Sequence, residues 1–197
     1  LEKSYQEKAA EEAEKQTLVS KRQHKVFKLA TIWLTAAVVI LTIPLIYLIF
    51  IQNPFKEKLL QADTAFIKVD YSKVIDELEG ISPKSLPNTQ KYELAYSYIQ
   101  GLEFSDDQRK VILNNVTLKS DDLYLNYWIQ VGRNDFEDAL DTAKRINDSD
   151  LIIYALTQEM KKVREDDSLS GKDRETKLES LEGEYKKYWD SRKELLT

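Results

Sequence analysis

Apolar and polar positions along the chain follow two different patterns. From residue 29 to 51 the sequence reads LATIWLTAAVVILTIPLIYLIFI, 23 positions without a charged side chain. At 1.5 Å per residue a helix of this length spans roughly 34 Å, enough to cross a hydrocarbon core of about 30 Å with some tilt. A buried helix of a soluble protein keeps a polar stripe and seldom needs more than about 14 apolar residues, and a signal peptide has an apolar region of about 7–15. The pattern predicts one permanent transmembrane helix over 29–51. Pro44 removes one helical hydrogen bond and places a kink near Thr42–Leu45. Trp33 and Tyr47 lie toward the two ends, where amphipathic rings favour the headgroup region.

After the span the period changes to i, i+3, i+4, i+7. Leu59, Ala62, Phe66 and Val69 mark one apolar face; Tyr71, Val74, Ile75 and Leu78 the next; then Tyr92, Ala95, Tyr96 and Ile99. Ile112 and Val116 follow, then Tyr124, Tyr127, Trp128 and Val131, then Phe136, Ala139, Leu140, Ala143 and Ile146, and last Ile152, Ala155, Leu156 and Val163. No strand-like alternation of comparable length occurs, so the fold class is all-α. Breaks fall at Gly80 with Pro83 and Pro87, at Gly101, at Gly132 and at Gly171. Ser105-Asp106-Asp107-Gln108 reads as a capping box. A final helix is expected over roughly 172–196, with Leu178, Leu181, Tyr185, Tyr188 and Leu195 at heptad spacing, interrupted by Arg192. It serves either as a cap on the preceding helices or as a surface for self-association or a partner.

A faint internal repeat joins two of these breaks. Phe66 to Ile75 and Trp128 to Leu140 both end an aromatic-bearing helix in a short polar turn, and in both an aspartate precedes the aromatic that opens the next helix. The aspartate suits an N-cap and the aromatic packs back on the preceding helix. This is the turn of a tetratricopeptide-type helical pair, with Asp106 before a helix over 108–116 as a degenerate middle copy. The expected organisation is therefore a juxtamembrane helical arm (1–28), the transmembrane helix (29–51), a degenerate helical-repeat domain (55–165) and a C-terminal helix (166–197). Such arrays present surfaces to partners and seldom carry chemistry.

Charge decides the orientation. Lys15, Lys21, Arg22, Lys25 and Lys28 flank the span on its N-terminal side, against Lys56, Lys58 and Lys68 on the other. The positive-inside rule favours a cytoplasmic N-terminus and an extracytoplasmic C-terminal part. The basic cluster, with the one histidine His24 inside it, is also placed to touch anionic lipid headgroups. The first residue is Leu, so further chain is expected upstream on the cytoplasmic side.

Candidate chemistry is sparse. One histidine and no cysteine leave no basis for zinc sites, disulfides or His-dependent triads. Gly171-Lys172-Asp173 lacks the first glycine and the hydroxyl residue of a phosphate loop. Asp106/Asp107, Asp121/Asp122 and Asp166/Asp167 each sit beside an expected helix start, where carboxylates cap amides and complement the dipole. Asp148-Ser149-Asp150 could contact a divalent cation but lacks the glycine and distal glutamate of a calcium loop. Asn115-Val116-Thr117 matches the short glycosylation pattern. Residues 55–197 carry 22 Lys/Arg against 29 Asp/Glu, which argues against a nucleic-acid partner. No catalytic, cofactor or metal residues are assigned, and the chain is read as a non-enzyme.

Several stretches, in their order around one span, resemble the EssB/YukC family of the type VII secretion systems of Firmicutes. They are Asp70 to Ile75, Ile112 to Asn115 with Leu118 to Asp121, and Tyr127-Trp128-Ile129 through Gly132-Arg133 to Asp135, with Ala139-Leu140-Asp141 and Ala143-Lys144. The resemblance implies a bitopic, dimeric scaffold component with a pseudokinase-like cytoplasmic domain upstream and a helical extracytoplasmic domain. It also implies work beside the membrane-bound ATPase that exports WXG100-type proteins. A parallel homodimer is then expected, with partner or dimer contacts at Tyr5, Ala9, Ala13, Ala37, Leu178, Leu181 and Tyr185. The rival reading is a membrane-anchored helical-repeat receptor for a peptide or cell-wall ligand, using Tyr92, Tyr96, Tyr98, Tyr124 and Tyr127.

Overall fold

The structure, a computed structural model, describes the backbone of residues 2–195, and within it every side chain except those of 2–4, 15–22 and 194–195. Lys15, Lys21, Arg22 and Leu195, singled out in the sequence, therefore have side chains outside the described set. Among the described residues there is no strand, and the chain divides into two compact units, one ending at Lys56 and one beginning at Glu57.

The first unit is built on helix α1 (Glu2–Tyr47), followed by a π-helical turn (Leu48–Gln52) and the start of α2 (Asn53–Ile67). Every described residue from Gln23 to Ile51 is exposed, as a segment solvated by lipid requires. The expected irregularity at Thr42–Leu45 is displaced. The α-helix continues through Pro44, and the departure from α-geometry comes at Leu48–Gln52, where the Asn53 N–H donates to the Leu48 carbonyl. Pro54 accounts for the position: it has no N–H for the carbonyl four residues back, on Phe50, so the local ladder shifts to wider rings.

The second unit contains the rest of α2, then α3 (Tyr71–Leu78), a 3₁₀ turn (Pro83–Ser85), α4 (Asn88–Gly101), α5 (Asp106–Asn115), α6 (Asp122–Gly132), α7 (Phe136–Ile146), α8 (Ser149–Glu165) and α9 (Gly171–Leu195). Packing runs α3 on α4, α4 on α6, α6 on α7, α7 on α8 and α8 on α9. Helix α5 stands at the margin: it touches α4 and contains no buried residue, although Val116 just after it is buried. The core is filled by Val74, Leu78, Leu94, Ile99, Leu125, Tyr127, Ile129, Val131, Ile152 and Leu156, with alanines at 62, 95, 139, 143 and 155 where helices approach closely. Two aromatic groups complete it. Phe66 of α2 meets Tyr71, Tyr92 and Tyr96 at 5.5–6.0 Å, and Trp128 of α6 meets Phe104, Tyr124, Tyr127 and Tyr154 at 5.0–6.3 Å.

The repeated turn exists in the backbone and has a third copy. Val69, Asn134 and Asn147 all adopt left-handed φ of 59–62°, each immediately before an aspartate at an N-cap. In each the aspartate N–H reaches back five residues: Asp70 to Ala65 O at 3.0 Å, Asp135 to Gln130 O at 2.9 Å and Asp148 to Ala143 O at 3.4 Å. This is the six-to-one bond of a left-handed helix stop. Asp70 and Asp148 also accept amide bonds through their side chains, from Lys73 N and from Asp150 N and Leu151 N, whereas the Asp135 carboxylate accepts none.

Three local expectations are corrected. Helix α5 begins at Asp106 with Ser105 as its cap, so Asp106 is a first-turn residue and the turn before α5 is not a copy of the other three. Asp121 caps α6 as expected, but Asp166/Asp167 stand at the end of α8 rather than at a helix start. There Asp166 accepts from Ser168 N and Oγ, and Ser170 caps α9 through Asp173 N. Asp148-Ser149-Asp150 is an N-cap, with Asp150 paired to Arg192 of α9 at 2.5 Å.

Candidate functional site

A helical array that works by contact is described by what its faces leave free. On α1, Tyr5, Ala9, Ala13 and Ala37 are all exposed, as are the residues around them. A shallow groove along the same helix is lined by Thr31, Ile32, Thr35, Ala36, Val39 and Ile40. The threonine hydroxyls there are satisfied within the helix: Thr31 Oγ1 donates to Phe27 O and Thr35 Oγ1 to Thr31 O, both at 2.8 Å. Neither hydroxyl therefore needs an acceptor from outside the helix, so a neighbouring helix can come near without stranding a donor.

On α9 two of the three named positions face inward. Leu181 and Tyr185 pack against the core together with Tyr188, while Leu178 is half-buried with Arg174 and Glu182 near it. Ion pairs tie the helix down: Lys177 to the buried Glu159 at 2.9 Å, Lys144 to Glu184 at 2.7 Å and Arg164 to Glu182 at 3.3 Å. Tyr185 and Trp189 stack at 5.9 Å, with Arg192 over the Trp189 ring. Intramolecular packing thus occupies the side of α9 that the heptad reading offered to a partner.

Of the tyrosines proposed for a receptor groove, Tyr92 and Tyr96 lie together in one aromatic group and Tyr124 and Tyr127 in another. Tyr127 is fully buried and donates its hydroxyl to Leu151 O at 2.8 Å; burial pushes its phenol well above the usual range. Tyr98 is held against Gly132, Tyr92 and Tyr96 surround Phe66, and Tyr124 leans on Trp128. Burial also raises the Tyr154 phenol, to about 12. Tyr98 and Tyr127 are buried, whereas Tyr92, Tyr96, Tyr124 and Tyr154 are half-buried.

Several charged groups have structural roles. Lys91, buried on α4, pairs with Asp122 of α6. Arg133 closes the α3 end by donating to Leu78 O at 3.2 Å and Ile81 O at 2.9 Å, and Arg109 spans the α4–α5 turn to Leu102 O and Phe104 O. Among the described residues no three His, Cys, Asp or Glu side chains gather in a metal-binding group. One polar feature escaped the sequence reading: Asp63 of α2 and the buried Glu93 of α4 face each other, with Gln90 donating to Asp63. Its trace in the sequence is a single glutamate inside the apolar run Tyr92-Glu93-Leu94-Ala95-Tyr96.

Comparison with known proteins gives a consistent result. The family model described as "WXG100 protein secretion system (Wss), protein YukC" matches residues 1–191. The type VII secretion system protein EssB of Staphylococcus aureus strain MRSA252 is 30% identical over 200 residues, covering 100% of this chain and 43% of the relative, and that of strain USA300 is similar to the same extent. The chain thus spans under half the length of these curated relatives. A crystal structure of the Geobacillus thermodenitrificans EssB extracellular fragment superposes with a TM-score of 0.67 at 39% identity, covering 72% of this chain and 94% of that one.

Proposed function

The chain belongs to the YukC family of WXG100 secretion proteins, and on that premise we propose that it is a non-enzymatic membrane scaffold subunit of a type VII secretion apparatus. In this role it links cytoplasmic and extracytoplasmic parts of the machine and supports export of WXG100-type proteins. The observation that carries the reading is a family match running through both the exposed apolar helix and the packed helical array. A helical array in which Lys91, Arg133, Lys177 and Glu159 serve ion pairs and turn closure, and whose free faces are helix surfaces, is suited to holding partners.

The orientation proposed is N-terminus in, C-terminal domain out. It rests on the lysine and arginine count and on a relative whose crystallised fragment is described as extracellular. The partners proposed are membrane lipid along 23–51, a second copy through α1, and other secretion subunits including the membrane-bound ATPase. The exposed positions Tyr5, Ala9, Ala13 and Ala37 are the proposed dimer contacts. The half-buried Leu178, Leu181 and Tyr185 are left with a smaller share in any partner surface.

Three measurements test this. In cells stripped of wall, protease is expected to digest the part from residue 57 onward and spare an N-terminal tag; protection of the C-terminal part overturns the orientation. In a strain lacking the natural gene, re-expression of the gene that encodes this chain is expected to return WXG100 proteins to the medium. Single cysteines at Ala9, Ala13 and Ala37 of this cysteine-free chain are expected to form disulfide dimers. Secretion that is indifferent to loss of the protein overturns the scaffold role.

A further inference from the structure

Helix α2, through which the chain enters the domain, carries Asp63 at its contact with α4. Opposite it stands Glu93, 7% exposed and within hydrogen-bonding reach of the Asp63 carboxylate. One turn earlier on α4, Gln90 donates Nε2 to Asp63 Oδ1 at 2.6 Å, which fixes Asp63 on the same face. Glu93 Oε2 is buried and receives no hydrogen bond. Two ionised carboxylates in such a place would repel each other with one of them unsolvated, an arrangement that folding does not tolerate without a cation or a proton.

Among the described residues no ion pair joins a cation to either carboxylate, and Lys56, Lys58 and Lys68 on and beside α2 are exposed. On α4 Lys91 is committed to Asp122 of α6. Arg133, at the end of α6, donates to the Leu78 and Ile81 carbonyls, and Arg109 of α5 to those of Leu102 and Phe104. On α3 Lys73 and Asp76 are exposed, and the half-buried Glu77 faces Gln61 of α2, which adds negative charge. Asp106, Asp107 and Lys110 of α5 are on the outside.

We propose that a proton held on Glu93 and donated to the Asp63 carboxylate latches α2 to α4, and that loss of this proton loosens α2 from the helical array. In the closed state the Glu93 carboxylic acid O–H donates to the Asp63 carboxylate. On ionisation this bond is lost and like charges face each other across the α2–α4 contact. Burial, followed by the Asp63 charge, pushes the Glu93 carboxyl up to about 7, so the latch titrates near neutrality. The domain's attachment to its entry helix is then sensitive to pH, a property that a scaffold receiving partners on one face can use to open or close that face.

The test uses the full chain in lipid nanodiscs, with spin labels on cysteines introduced at the exposed Thr64 of α2 and Thr89 of α4 in the cysteine-free background. One narrow distance population is expected at about pH 5.5 and an added longer one at about pH 8.5. In parallel, infrared spectra are expected to show a protonated carboxylic acid carbonyl that disappears with a midpoint near 7. Glu93→Gln is expected to keep the narrow population at both pH values and to lack the titrating band. Should that variant fold poorly, Asp63→Asn removes the neighbouring charge and is expected to move the midpoint downward. Identical distances at both pH values in the unsubstituted protein, or a titrating band that survives Glu93→Gln, overturn the proposal.

Discussion

Gly132 and Tyr98 meet where α6 crosses α4, with no room for a methyl group between them: a Cβ on residue 132 would lie 2.1 Å from Tyr98 Cγ and 2.2 Å from Cδ1. The ring is 9% exposed and hemmed in by the core, so it cannot swing aside freely. Gly132→Ala is therefore expected to destabilise the domain by about 1–3 kcal/mol or more through overpacking. Chemical denaturation followed by circular dichroism in detergent micelles measures it. Tyr98→Leu in the same background is expected to recover part of the loss, giving a coupling energy of opposite sign to the single effect.

The left-handed turn at Val69 is a second site of strain. A β-branched residue at φ 61° crowds its own backbone, and Val69 is 65% exposed, so little packing is at stake. Asparagine occupies the matching positions 134 and 147. Val69→Asn is expected to stabilise the domain by roughly 0.5–1 kcal/mol, read as an increase in the melting temperature. A decrease would show that the valine side chain contributes a contact that outweighs the backbone strain.

The buried glutamate makes stability depend on pH with a definite sign. A carboxyl raised from an ordinary value of 4.5 to about 7 binds its proton more tightly when folded. Its stabilising contribution is therefore complete below about 4.5 and is lost as pH rises through about 7. Relative to the unsubstituted protein, Glu93→Gln is expected to lose its advantage at low pH and to be the more stable of the two above neutrality. Melting curves across this window, at constant ionic strength, check the crossing.

Aromatic burial in α6 supplies two graded changes. Trp128, 2% exposed and ringed by Phe104, Tyr127 and Tyr154, is expected to cost about 3–5 kcal/mol when changed to alanine. Tyr127→Phe keeps the ring and deletes only the bond to Leu151 O, for an expected loss of about 1–2 kcal/mol. Denaturant midpoints rank the two; a larger loss for Tyr127→Phe would locate the stability of this region in polar rather than apolar contacts.

Much of this architecture was legible in the sequence because it follows from local rules. The uncharged run at 29–51 announces a helix that lipid can solvate, and the i, i+3, i+4 spacing after it announces helices with one apolar stripe each. Ser105 and Gln108 form their capping box, and Asp70 and Asp121 cap their helices, since each needs only neighbours within a turn. What tertiary structure alone decided concerns partners far apart in the chain. Gly132 looked like a helix breaker and proves to be a point of close approach to Tyr98, 34 positions earlier. Lys91 finds Asp122 and Glu93 finds Asp63 only because α4 touches both α2 and α6. The heptad of α9 likewise carries no label for its partner: the same spacing serves a second chain or α8, and the ion pairs from Lys177, Lys144 and Arg164 direct it to its own domain. Periodicity specifies that a face must be covered, whereas what covers it depends on contacts between residues distant in sequence.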